Sequence, residues 1–248
     1  MLTQLAAISL VALLLVVVPV MSFLTARKLK RQQVPRLDLY VSAAFSQWLL
    51  AVVGVAVVLI SGLDLSALGF RFIPLGTLAP WVLLLVVVAL AAVGLELVLG
   101  RFGWWPQESE LVLLLIPETP REKLWAVFGL APTAALCEEF LYRGFLLAQF
   151  SQWIEHGPWA WILSSVAFGL AHVYQGLAGA ARAILLGALL AYPVMQLGSL
   201  WPSIAAHLVI DAVAFGWLGP AFVRRTRAEA AGAKEPGAAD EGGENPLG

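Results

Sequence analysis

Charge is scarce in this sequence: 12% of its 248 residues are Asp, Glu, Lys or Arg, where roughly a quarter is usual for a soluble domain. The formal net charge is −1 and no basic patch is present, which argues against a nucleic-acid partner. A single cysteine, Cys137, excludes an intramolecular disulfide and offers no pair spacing for a thiolate metal site. No positive charge precedes the apolar run Leu5 to Leu24, and no small-residue cleavage site precedes Arg27, Lys28, Lys30 and Arg31. A retained anchor is therefore expected there rather than a cleaved signal peptide. Internal repeats of the kind that build inverted-repeat transporters are also missing.

Apolar residues fill the space that charge leaves. The chain is 60% hydrophobic with a mean hydropathy of +0.86, more apolar surface than a water-soluble fold can cover, so its solvent is membrane lipid. Spanning helices need about 20 apolar residues each, and on that measure segments fall near 4–24, 39–61, 79–100, 123–150, 158–174, 179–197 and 201–223. The expected fold is an all-α, polytopic membrane helix bundle of about seven transmembrane helices. The fifth and sixth segments are short enough for either to be re-entrant. The stretches 61–77 and 108–122 read as loops, and the polar sequence from Arg227 onward as a disordered tail.

Basic residues set the orientation. Threading the segments alternately puts Arg27 to Arg36, Arg101 with Arg121 and Lys123, Arg182, and Arg224, Arg225 and Arg227 on one side, the cytoplasmic side by the positive-inside rule. The N-terminus is then outside and the C-terminus cytoplasmic, with a bacterial cell membrane as the expected location. The organisation read from this is 1–122, N-terminal helices and loops; 123–223, a catalytic helical core; and 224–248, the cytoplasmic tail.

Ionisable groups inside membrane segments are costly and mark functional sites. They concentrate in the second half: Glu138, Glu139, Arg143, His172, His207 and Asp211, with Glu96 near the end of the third segment. Glu139 and Arg143 stand four apart with the acid first, a favourable helical pairing. Adjacent helical residues point about 100° apart, so Glu138 faces elsewhere without a local counter-charge and is the better working carboxylate. Phe168 and His172 share a face one turn apart, as do His207 and Asp211. The plainer reading of a lone intramembrane histidine is a hydrogen-bonded interior residue, and of a lone Glu–Arg pair a helix interface. Two histidines and several carboxylates in one half of the chain outweigh it. His156 reads as a loop residue.

Depth along the helices adds a constraint. At about 1.5 Å rise per residue, Glu138 lies about 18 Å before Phe150, His172 about 21 Å beyond Pro158, and His207 only about 9 Å beyond Trp201. Glu138 and His172 can meet on antiparallel helices, whereas His207 reaches them only if the turn at 197–202 is recessed into protein.

The ordered set Glu-Glu-x-x-x-Arg (Glu138, Glu139, Arg143), Phe-x-x-x-His (Phe168, His172) and His-x-x-x-Asp (His207, Asp211), with Arg143-Gly144-Phe145 and Gly198-Ser199-Leu200-Trp201-Pro202 beside it, resembles the CAAX protease and bacteriocin-processing family. That family of intramembrane proteases includes the type II CAAX prenyl endopeptidases and abortive-infection-like proteins. The resemblance spans roughly 120–215. It implies that Glu138 is the general base activating a water with the help of His172, that Glu139 and Arg143 hold the helix, and that His207 and Asp211 line the oxyanion site. Members carry Asn or Asp at the last position. An ionised Asp211 cannot donate to an oxyanion, so its expected task is to fix the tautomer of His207.

The implied function is an intramembrane endopeptidase acting on a membrane-associated peptide or protein, without a cofactor. Several alternatives stand beside it. Glu138, His172 and His207 are also a ligand set for Zn²⁺ with an open water position. Cys137 beside two acids is a poor thiolate, and packing is its expected role. A non-catalytic scaffold or bacteriocin-immunity protein would use the same cavity for binding, and a transporter would use Glu138, Glu139 and Asp211 as a proton path.

Overall fold

The computed structural model describes residues 2–29, 34–62, 65–105, 110–154, 157–221 and 223. His156, Lys30, Arg31 and the expected tail 224–248 lie outside the described residues. The described residues are predominantly helical and contain no strand.

Eight helices follow one another: α1 (Leu2–Leu29), α2 (Arg36–Ser61), α3 (Leu75–Arg101), the short α4 (Glu110–Leu115), α5 (Pro120–Trp153), α6 (Gly157–Ala171), α7 (Gly176–Leu197) and α8 (Trp201–Ala221). Among the described residues, six of them, all but α4 and α6, are long and apolar enough to cross a membrane. With 15 residues, α6 spans about 22 Å at the helical rise, short of a hydrocarbon core of about 30 Å. The expected loop over 108–122 needs correction, since Glu110–Leu115 is a helical turn and a half. It lies against α2, where the Tyr40 hydroxyl donates to the Leu115 carbonyl at 2.8 Å.

The helix ends follow from local chemistry. Thr119 caps α5 by accepting from the Glu122 amide, while the Glu122 carboxylate accepts from the Thr119 amide in return, a reciprocal box that satisfies two orphan donors. Pro120 occupies the first helical turn, where its missing N–H costs nothing. Wide turns with i→i+5 hydrogen bonding occur at Leu13–Val17 and Ala126–Leu130. Each ends two residues before a proline, Pro19 or Pro132, whose ring would otherwise strike the carbonyl four residues back. A longer wide stretch, Glu139–Leu146, begins on the second acid of the Glu-Glu pair. Such insertions recur at functional sites.

The axis of the bundle is α5: 56% of its apolar window is buried, against 17–22% for α1, α2 and α3. It packs against α2, α6 and α8; α6 lies along α7, and α8 along α3. The central core joins Leu10 and Leu14 of α1, Ala51 and Val58 of α2, Phe140, Phe145 and Leu146 of α5, and Phe168 of α6. Leu83, Leu84, Val87, Val52 and Leu59 face outward, as lipid-facing residues of a spanning bundle do.

The turn between α7 and α8 is recessed into protein, as the depth of His207 demands. Gly198 ends α7 with φ of +60°, a left-handed conformation open to glycine. Ser199 and Leu200 are fully buried. The connector between α2 and α3 roofs them: the Leu200 amide donates to the Gly69 carbonyl at 2.8 Å and the Ser199 hydroxyl to the Arg71 carbonyl at 2.8 Å. Phe72 stacks on Trp201 with centroids 5.0 Å apart.

Candidate active site

Behind the site stands a charged frame that water does not reach. The side chains of Glu139 and Arg143 are 0% and 1% exposed, with Nη1 of Arg143 3.1 Å from Oε1 of Glu139. Charges so buried are tolerated only when paired. The guanidinium also lies over the Phe168 ring, 4.0 Å from its centroid, a desolvated cation–π contact. Phe168 thereby ties α6 to α5.

The same Glu139 oxygen is 2.7 Å from Nδ1 of His207 on α8. A carboxylate ion-paired to arginine only accepts, so Nδ1 carries a proton and donates it to Glu139. Asp211 thus shares His207 with a second carboxylate, which spacing within α8 did not suggest. Glu139, on the adjacent helix α5, orients the imidazole through Nδ1, while Asp211 stands at the other nitrogen with Oδ2 3.5 Å from Nε2. The physical reason is that the wide turn starting at Glu139 aims its carboxylate across the bundle at α8, a direction that i,i+4 spacing within α8 does not reveal.

Glu138 occupies a different environment. Its side chain is 15% exposed, and Oε2 lies 3.9 Å from Nε2 of His207. It interacts electrostatically with His172, His207, Asp211 and Arg143. Its other oxygen, Oε1, accepts a hydrogen bond of 2.6 Å from Nε2 of Gln47 on α2. His172 sits just past the end of α6, where its Nδ1 lies 2.8 Å from the Phe168 carbonyl. A carbonyl can only accept, so Nδ1 bears the proton and Nε2 keeps its lone pair. Phe168 and His172 are in ring contact at 4.5 Å, and Tyr174 stacks with His172 at 6.0 Å.

The structure thus brings Glu138, Glu139, Arg143, Phe168, His172, His207 and Asp211 to one place. Cys137, beside them in sequence, is packed in the apolar core with 1% exposure. Among the described residues no group of three or more His, Cys, Asp or Glu side chains is disposed to hold one metal ion. Each histidine has Nδ1 within hydrogen-bond distance of a protein oxygen.

Two neighbours of the site were not anticipated. Gln47 escapes a search for ionisable residues because it carries no charge. Its signal is positional: Tyr40, Gln47, Ala51, Gly54 and Val58 fall on one stripe of α2, and the other four are buried. Tyr174 interacts electrostatically with Glu138 and Asp211, and only its nearness in sequence to His172 hinted at this.

The described residues thus form a helical bundle with six helices long and apolar enough to cross a membrane and a cluster of carboxylates and imidazoles in its interior. Residues 120–213, from the cap of α5 into α8, match the family model described as Rce1-like, type II CAAX prenyl endopeptidase Rce1-like. The segment holding the cluster is thus similar to that family, and the match takes in each of the three motifs while leaving Gln47 outside it. Comparison with curated proteins and with solved structures returns no match.

Proposed function

We propose that this protein is an intramembrane endopeptidase that hydrolyses a peptide bond of a membrane-associated peptide by direct attack of water. The observation that carries this reading is the contrast within the Glu-Glu pair: Glu139 is sealed against Arg143 and His207, whereas Glu138 is partly open and faces Nε2 of His207. One carboxylate is consumed by structure and the other is free for proton transfer.

In the proposed reaction a water lies between Glu138 and the lone pair of His172 Nε2. Glu138 takes its proton as the oxygen attacks the scissile carbonyl. The carbonyl π electrons move to oxygen, and His207 with both ring nitrogens protonated donates from Nε2 to that oxyanion, its other N–H held by Glu139. Collapse of the tetrahedral intermediate breaks the C–N bond, and the carboxylic acid of Glu138 returns the proton to the leaving amine. The products are a new carboxyl and a new amino terminus, with no change of redox state. Asp211, beside His207 Nε2, helps to offset the charge of the doubly protonated ring.

Orientation follows the charges. Arg36, Arg101, Arg121 and Lys123 lie at or near the ends of α2, α3 and α5, and by the positive-inside rule these ends are on the cytoplasmic face in this reading. The test is cleavage of a membrane-anchored fluorogenic peptide library by the protein reconstituted in nanodiscs. Loss of a general base is expected to slow Glu138→Gln by about 10²–10⁴-fold. Hydrolysis unchanged in Glu138→Gln, or binding of library peptides with no cleavage by the unaltered protein, would overturn the reading, the second outcome in favour of a scaffold or immunity role.

A further inference from the structure

Resting on the hydrolase reading above, we propose that Gln47 is a positioning residue of the active site, holding the base Glu138 from outside the family-matched segment. The contact is short, 2.6 Å from Nε2 to Oε1, and joins residues 91 apart in sequence on α2 and α5. It is also the carboxamide's commitment to one partner: among the described residues its Oε1 is buried with no hydrogen-bond partner. A glutamine kept for packing alone would be replaced at little cost by an apolar residue, because an orphaned buried acceptor is itself destabilising. A carboxamide has a further property that a charged donor lacks. It donates N–H to Glu138 as a carboxylate and, after its plane turns over, accepts O–H from Glu138 as a carboxylic acid. The proposed reaction takes Glu138 through both states, and Gln47 can hold it in each.

The approach of α2 is built for this contact. Gly54, two turns further along the stripe of Gln47, sits so near α5 that a Cβ would meet Leu141 Cδ2 and Phe140 Cε1 at 2.9 Å. Ala51 between them is buried. Trp48, next to Gln47, donates from Nε1 to the Thr133 hydroxyl at 3.2 Å, which fixes the register of α2 on α5 just before the Glu-Glu pair. The N-terminal helices thus contribute to the site rather than only enclosing it.

The experiment compares Gln47→Leu, apolar and suited to a membrane interior, and Gln47→Asn, polar but one methylene short, in nanodiscs with the cleaved library peptide. Misplacing a catalytic group by about 1 Å costs on the order of 10²-fold, so both variants are expected to lose about 10²-fold in kcat, with KM changed less than about twofold. A second arm reads the contact without turnover: equilibrium unfolding of Gln47→Leu, Glu138→Ala and the double variant in mixed micelles, where non-additive losses mark the direct interaction. Full kcat in Gln47→Leu or Gln47→Asn, a loss confined to KM, or additive unfolding losses would each overturn the proposal. An inactive unaltered protein would strike the hydrolase reading instead, and the unfolding arm would still decide whether Gln47 holds Glu138.

Discussion

Removing the guanidinium of Arg143 isolates the buried frame from the working residues. In Arg143→Met the apolar volume is largely kept, but Glu139, 0% exposed, loses its ion pair. Breaking a buried pair by deleting one partner costs about 3–5 kcal/mol, and the contact with the Phe168 ring adds up to about 2 kcal/mol when desolvated. His207 still donates to Glu139, which draws the expected loss toward about 4 kcal/mol in all. Glu138→Gln, by contrast, changes a partly open side chain whose amide can still bond Gln47, and is expected to cost within about 1 kcal/mol. The decisive variant is Glu139→Gln with Arg143→Met. It removes both charges, leaves an amide oxygen to accept from His207, and should recover most of the loss, because an ion pair with no well-formed hydrogen bonds at Nη1, Nη2 or Oε2 adds little over apolar contact. Equilibrium unfolding in mixed micelles measures all four proteins. A double variant as unstable as Arg143→Met, or equal losses in Arg143→Met and Glu138→Gln, would refute the division between frame and base.

Other outcomes bear on rival chemistries. Exhaustive chelation is expected to leave peptide cleavage intact, measured alongside metal content; stoichiometric zinc with a chelator-reversible loss of turnover would favour the ligand reading of Glu138, His172 and His207. Cys137→Ala should retain kcat and cost about 1 kcal/mol or less in stability as a small buried side chain, and loss of turnover in a folded variant would point to the thiol as nucleophile. Gly54→Leu should push α2 from α5, lowering stability by about 1–3 kcal/mol together with kcat, and an unaffected kcat in a destabilised protein would separate packing from the site.

Much of this arrangement was legible because a membrane makes polarity conspicuous. Against lipid, Glu138, Glu139, Arg143, His172, His207 and Asp211 announce themselves by type alone, and the expectation of a recessed turn before His207 followed from helical rise without any knowledge of what covers it. The spans were legible for the same reason, since apolar length is what the bilayer demands. Two things were not. The helical turn at Glu110–Leu115 depends on docking to Tyr40, a tertiary contact. The second carboxylate at His207 was not foreseen because helical spacing proposes neighbours within a helix, such as Asp211, and is silent about a neighbour across the bundle.

The wide turn at Glu139–Leu146 is the deeper reason for that silence. No proline marks it, unlike the turns before Pro19 and Pro132, so nothing local announces that the helix widens there. Yet the widening begins on the residue that must point away from Glu138 toward Arg143 and His207 at once. Two adjacent carboxylates on an ordinary helix would face separate sides of α5. Here one is drawn inward onto a buried cation and an imidazole while its neighbour meets Gln47 from α2, and both remain within reach of a single histidine, Nδ1 on Glu139 and Nε2 toward Glu138. His207 therefore senses both acids, and any change that restores regular helical winding at 139–146 should uncouple them.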